Sequence, residues 1–201
     1  MITSKEDLDY YLEADRLALG IDRPSPKFWG DEIWKYQMTL RKLEYLINCK
    51  GSSLMIRYYR FRHHKMGLHL GFAIQPNVFG PGLCIPHPGI IGIHGKARVG
   101  KNCHIHDGVV IGTAAGSHDD VPTIGDNVYI GPGAKIFGNI VIADDIAIGA
   151  NSVVNRSFQE PGITIAGAPA RKVSEKGSKG LHIRGTEELE RRNKGRGGKA
   201  G

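Results

Sequence analysis

Four of the nine histidines in this 201-residue chain stand where a side chain could do proton chemistry. His87 lies in Ile85-Pro86-His87-Pro88-Gly89, held between two prolines. An imidazole titrates near neutrality, so His87 can act as a general base toward a hydroxyl. The alternative is a structural histidine hydrogen-bonded within its own turn. His118 precedes Asp119 and Asp120 in the polar stretch TAAGSHDDVPT. There His118 and Asp120 could hold an acceptor or orient a proton, or simply be solvated. His104 and His106 are two apart and project to one side of a strand. No carboxylate or cysteine at metal-ligand spacing accompanies them, so no metal is expected. They read as surface or interface residues, with His106 and Asp107 near a bound acceptor. Cys49, Cys84 and Cys103 lack zinc spacing and read as buried free thiols rather than acyl-carrying nucleophiles.

Positioning these residues requires a scaffold, and the scaffold is a repeat of six. Every sixth residue from Ile93 is Ile93, Val99, Ile105 and Ile111. The series resumes at Ile124 and runs through Ile130, Ile136, Ile142 and Ile148 to Val154. Four residues after each start comes a second, mostly small or aliphatic position: Ala97, Cys103, Val109, Val128, Ala134, Ile140, Ile146 and Ser152. Glycine often follows the first position, as at Gly100, Gly112, Gly125, Gly131 and Gly149. Six residues make one short strand and one tight corner, and three such sides close one coil of a parallel β-helix. Each coil buries its aliphatic residues only against its neighbours. Between Ile111 and Ile124 the spacing is thirteen instead of twelve, a register slip of one within Thr113–Thr123. That stretch is a loop thrown out from a rigid scaffold, the usual seat of function.

Upstream, residues 1–70 read as a small helical segment. Ser4 and Asp7 form a capping box before a first helix that Gly20 and the following prolines end. A second helix is expected from about Asp31 to Asn48. A third, from about Ser52 to Met66, is rich in Arg, His and Lys and reads as a bridging helix with a solvated basic face. Residues 71–173 form the β-helix domain, and 174–201 a basic, flexible tail. From Arg171 onward ten Lys/Arg face four Asp/Glu, so most of the net charge of +7 sits in the tail. A solvated tail is the preferred reading over nucleic-acid binding. No basic head joins an apolar run at the N-terminus, and no apolar run reaches membrane-spanning length, so a cytoplasmic location is expected.

From about Leu70 to Val173, half of the chain, the sequence resembles the hexapeptide-repeat acyltransferases, in particular the serine acetyltransferase branch. The matching pieces are GLCIPHPGIIGIHGKARVG, GVVIGTAAGSHDDVPTIGDNVYIGPGAKIFGNI and the closing AGAPARKV. The resemblance implies a mainly β fold, a left-handed parallel β-helix with a small helical segment before it. It implies a homotrimer with active sites in clefts between subunits; apart from the resemblance, the helical head could pair two trimers into a dimer of trimers. The resemblance also implies acetyl-CoA as acyl donor, direct transfer to a hydroxyl in a ternary complex, and His87 as the base. Gly112 and Thr113 would lie near the thioester, where glycine lets backbone N–H groups approach the oxyanion. Pro132, Ala150 and Ala168 would leave room for the pantetheine arm. Arg171 and Lys172 would meet the phosphates, unless they belong only to the basic tail.

The acceptor-side positions depart from the serine enzymes. Those usually carry aspartate before the catalytic histidine, where this chain has Pro86. They carry histidine before the proline of the loop, where it has Val121, and begin the repeat with aspartate, where it has Ala73. Serine and a sugar of a capsule or surface-glycan precursor therefore both stand as acceptors. A non-catalytic trimeric assembly module is the alternative outside enzymology.

Overall fold

The computed structural model describes residues 1–197. The capping box forms as read: the Ser4 hydroxyl accepts from the Asp7 N–H at 3.0 Å, and the Asp7 carboxylate accepts from the Ser4 N–H at 3.1 Å. It starts α1, Lys5–Ala18. Helices α2, Glu32–Asn48, and α3, Ser53–Leu70, follow as a packed pair. Ile56, Tyr59, His63 and Met66 turn α3 toward the protein, and Gly67 and Leu70 are buried. Its outer face is not simply basic, as the sequence reading had it. Leu54, Tyr58, Phe61 and Leu68 stand on it among the cations.

The sheet strands are short and all parallel until the last. One face of the prism stacks β1 (Phe72–Ile74), β2 (Ile91–Ile93), β5 (Val110–Gly112), β8 (Lys135–Phe137) and β11 (Val153–Val154). A second stacks β3 (Arg98–Val99), β6 (Thr123–Ile124) and β9 (Val141–Ile142). The third stacks β4 (His104–Ile105), β7 (Tyr129–Ile130), β10 (Ala147–Ile148) and β12 (Thr164–Gly167). There β13 (Ala170–Ser174) folds back antiparallel on β12. All ten first-position aliphatics and all eight second-position residues are buried.

The register corrects the reading of the loop. Ile93 pairs with Ile111, eighteen residues on, but Ile111 pairs with Ile136, twenty-five on. Ile111 and Ile124 therefore occupy adjoining faces, and the loop is an insertion of seven residues rather than a slip of one. The sequence spacing alone could not distinguish one missing side from none.

At one corner the coils turn through left-handed residues: Asn102 (φ 56°), Asn127 (φ 58°) and Asp145 (φ 60°). Asn and Asp tolerate this region because their short polar side chains bond locally. Here they bond along the stack, Asn102 Nδ2 to Asn127 Oδ1 at 2.8 Å and Asn127 Nδ2 to Asp145 Oδ1 at 3.2 Å.

The tail expected to be flexible from residue 174 is instead built into the fold over its described part. Ser178 and Thr186 are buried, and α4, Gly185–Gly197, packs on α1. The Thr186 N–H donates to Asn102 Oδ1 at 3.0 Å, at the head of the corner ladder. Its cations find acids: Arg184 with Asp145 at 2.6 Å, and Arg192 with Asp22 at 2.7 Å. Charge that reads as solvated in the sequence is thus paired within the fold. Residues 198–201 of that tail lie outside the described residues.

The helical head joins the first coil through a buried charge network. Arg41 is fully buried and makes five hydrogen bonds: two to Asp15, one to Glu44, and one each to the carbonyls of Phe79 and Gly80. Asp15 Oδ1 in turn accepts from the N–H groups of Gly82 and Leu83, both at 2.8 Å. Burial alone would push the Arg41 guanidinium down, but the two carboxylates hold it above its ordinary value.

Candidate active site

His87 is exposed on its proline-flanked turn, and its ring makes no hydrogen bond to the described residues. Its nearest ring neighbour is His106, with centroids 6.0 Å apart. Asp107 follows. A Cβ at Gly89 would lie 2.6 Å from the Asp107 Cβ, and Gly89 has φ 151°. Only glycine lets the turn after His87 close down on Asp107. His87, His106 and Asp107, read separately from the sequence, are thereby brought together.

Two residues that the sequence reading missed complete the cluster. Tyr129 Oη lies 2.9 Å from His106 Nε2, and His104 Nε2 lies 3.2 Å from the same atom. The His104 ring stacks on Tyr129 at 5.2 Å. His182, from the segment before α4, stands 5.5 Å from His104, ring to ring, and its Nε2 meets the Asn102 carbonyl at 2.9 Å. Tyr129 pairs directly with His104 in the coil register, the twenty-five-residue step that relates Ile105 to Ile130. Correct register would have found it. His182 lies outside the repeat and carried no sequence signal.

Burial governs the electrostatics. It pushes His104 down to about 3, with His106, His182 and His87 adding repulsion. Burial also lowers His106, helped by His87 and opposed by Asp107, and it lowers His182. Burial thus disfavours the charged form of all three imidazoles. Burial raises the Cys84 thiol to about 12 and the Cys103 thiol further still. Both thiols are buried and a thiol held protonated is a poor nucleophile, which argues against a covalent acyl-cysteine at either. Among the described residues, no three His, Cys, Asp or Glu side chains are arranged to hold a metal ion.

The positions read as a cofactor groove follow one edge of the prism. His106 N–H donates to the Ile130 carbonyl, Gly131 N–H to Ile148 and Gly149 N–H to Ile165, so these corners stack coil upon coil. Asp107, Pro132 and Ala150 therefore lie one above another, and Ala168 follows in the β12–β13 turn. Pro132, Ala150 and Ala168 are exposed, leaving the edge shallow.

Gly112 differs from the corner glycines. A Cβ at Gly100 or Gly125 would strike neighbouring backbone at 2.7–2.9 Å, whereas at Gly112 it would meet nothing within 4 Å. Gly112 has no positive φ either, so nothing in the chain's own fold demands glycine there. Thr113 follows it, half-buried at the start of the inserted loop.

Two expectations separate. Lys172 spends its charge on Glu160 at 2.6 Å and Glu175 at 2.8 Å, while Arg171, exposed and opposite Ala166 in the hairpin, makes no ion pair among the described residues. In the inserted loop, Asp119 pairs with Lys96, and the Ser117 hydroxyl accepts from the Asp120 N–H at 3.1 Å. His118 and Asp120 make no described contact with the His87 cluster in the same chain.

No protein-family model matches the chain. A serine acetyltransferase of Synechococcus elongatus is 38% identical over 120 residues, 59% of this chain and 49% of that protein. The chain spans about half the length of the curated relatives it matches. Among solved structures, the serine acetyltransferase of Brucella abortus strain S19 superposes with a TM-score of 0.70 at 27% identity, covering 87% of this chain and 72% of that one. The same enzyme in complex with coenzyme A gives a TM-score of 0.69 at 27% identity, covering 86% and 70%. The likeness to hexapeptide-repeat acyltransferases of the serine acetyltransferase kind is borne out. So is the fold class, a left-handed parallel β-helix preceded by a small helical segment.

Proposed function

We propose that this hexapeptide-repeat chain moves an acetyl group from acetyl-CoA to the hydroxyl of a small acceptor, with His87 as general base. The observation that carries the reading is His87 itself. It is an exposed imidazole with no hydrogen bond of its own, at the head of the edge that runs past Pro132 and Ala150. The similarity to an enzyme solved with coenzyme A supports the donor.

In this mechanism the acceptor hydroxyl bonds to a ring nitrogen of His87. As its oxygen attacks the thioester carbonyl, the proton passes to the imidazole. The tetrahedral oxyanion then collapses, the carbon–sulfur bond breaks, and the departing thiolate takes the proton from the imidazolium. A thiolate of ordinary pKa, near ~8.5 by analogy with cysteine, needs little further help. Orientation in a ternary complex supplies the rest, and no enzyme nucleophile is used. The open space beside Gly112 lets the thioester approach the backbone, and Arg171 is the free cation for a coenzyme phosphate. His118 and Asp120 could act here only from a neighbouring subunit of a trimer, because the single chain does not bring them to His87.

A sugar or other neutral polyol is the second reading of the acceptor. Beside His87 stand the His106 imidazole, whose charged form burial disfavours, and Asp107, with His104 and the Tyr129 phenol behind them. Arg184 acts on His182 at the far side of the cluster but is paired with Asp145 and Glu187, so it is not free to meet an amino acid's carboxylate beside His87.

The test is release of coenzyme A with serine, homoserine and a panel of sugars, for wild type and His87→Ala. The variant should lose about 10²–10⁴ in turnover while still binding acetyl-CoA. Near-normal turnover would remove His87 as the base. Failure of the wild type to bind acetyl-CoA would leave the assembly-module reading.

A further inference from the structure

We infer that the outer face of α3 is a docking surface for an anionic lipid bilayer. The helix carries two faces. Ile56, Tyr59, His63, Met66 and Leu70 pack inward. Leu54 is 73% exposed, Tyr58 49%, Phe61 64% and Leu68 67%. Their spacing of four, three and seven aligns them along one stripe of a helix. Soluble surfaces scatter large apolar residues singly, and several of them on one helix stripe mark an interaction site.

Charge identifies the occupant. Arg57, Arg60, Arg62 and Lys65 lie on α3 with no Asp or Glu in the helix, and none of the four makes an ion pair among the described residues. Arg57 and Arg62 flank the stripe on either side, and Lys65 stands within it. A second copy of the chain packed stripe to stripe would set four unpaired cations against four. Anionic headgroups would neutralise them while the acyl region took Phe61 and Leu68. An apolar row bordered by Lys and Arg is how a helix lies in a membrane interface. The long cationic side chains would snorkel to the headgroups.

A second exposed aromatic element lies nearby. Phe28 and Trp29 stack edge to face on the loop before α2, and the Lys35 ammonium donates to the Phe28 carbonyl at 2.8 Å, holding the loop. Asp31 and Ile33 share a cavity with His69 and Leu70, which sets this loop beside the last turn of α3. Pro86 and Pro88, on either side of His87, line the same cavity. The inference itself does not depend on the acetyl-transfer reading.

The experiment floats the full chain with vesicles of phosphatidylcholine alone and of phosphatidylcholine with phosphatidylglycerol, at low and high salt. Flotation is expected only with the anionic vesicles and should fall as salt rises. The double substitution Phe61→Ser with Leu68→Ser should weaken it by at least about tenfold. Arg57→Gln with Arg62→Gln should weaken it and flatten the salt dependence. Absence of flotation, or equal flotation by wild type and both variants, would overturn the proposal. So would a Phe61/Leu68 variant that halves the mass of the assembly in sedimentation while lipid binds neither protein, which would make the stripe a contact between copies. Coenzyme A release with a soluble acceptor should be the same in all three proteins, separating this result from any failure of the catalytic reading.

Discussion

Arg41 offers the sharpest test of how the helical head is held to the β-helix. Substituting Arg41→Met keeps the volume but removes five hydrogen bonds at once. It leaves the Asp15 and Glu44 carboxylates buried at 2% exposure, together with two carbonyls that lose their donor. Breaking a buried ion pair by removing one partner costs about 3–5 kcal/mol, because the remaining charge has neither water nor a counter-ion. With a urea dependence of about 2 kcal/mol per molar, the unfolding midpoint should fall by roughly 1.5–2.5 M. The assay is urea unfolding followed by tryptophan fluorescence at one fixed protein concentration, since Trp34 is buried on the same helix as Arg41. Arg41→Lys should fall between the two, because an ammonium keeps the charge but cannot span Asp15, Glu44 and two carbonyls as a planar fork does. A loss below about 0.5 M for Arg41→Met, or a lysine variant equal to wild type, would refute this account of the network.

Two further outcomes test other parts of the molecule. Gly112→Ala should leave the thermal midpoint within a degree or two of wild type, because the added carbon meets open space, while acetyl-CoA binding measured by calorimetry weakens several-fold; unchanged binding would make Gly112 merely a repeat glycine. Stability should also decline in acid. His104 and His63 are held down to about 3 and about 4 by burial, and His106 and His182 are lowered too. Their unfolded forms take protons from about pH 6.5 downward. The unfolded state thus binds more protons in this window, so the stability is intact above it and is lost as pH falls toward the folded values. The urea midpoint should drop steadily from pH 6.5 to pH 4, less steeply in His63→Phe, and a flat profile would contradict the burial argument.

The β-helix was legible because its core is periodic: an inward aliphatic at a fixed step is visible without knowing what it stacks on. What the step could not convey was register across the inserted loop. Losing it hid the pairing of His104 with Tyr129, and so the centre of the His cluster. His87, His106 and Asp107 were readable as chemical types, but their convergence depends on Gly89, whose role emerges only when the turn packs on Asp107. The tail misled for a different reason. Its arginines look solvated when counted along the chain, and their partners, Asp145 and Asp22, are 39 and 170 residues away. Lys172 likewise looked free until its strand placed it between Glu160 and Glu175. On α3 composition gave the charge correctly, but which side of the helix its leucines and aromatics took was decided by α2 and the first coil.

The contact of α4 with α1 changes what kind of object the β-helix is. A stack of coils is a linear array, in which each layer holds only the next and the ends fray first. Here the last described helix returns to the first, and Arg192 meets Asp22 across 170 residues of chain. The segment before α4 runs back along the Asn102–Asn127–Asp145 corner, and α4 then rests on α1 beside the first coil. The first coil's helical head and the corner of the later coils are thereby tied through one segment, so they should unfold together rather than layer by layer. The same closure defers its reward during folding, since a very long loop must close before the clasp forms. Synthesis of the chain from its N-terminus would complete the coils before the residue that secures them has been made.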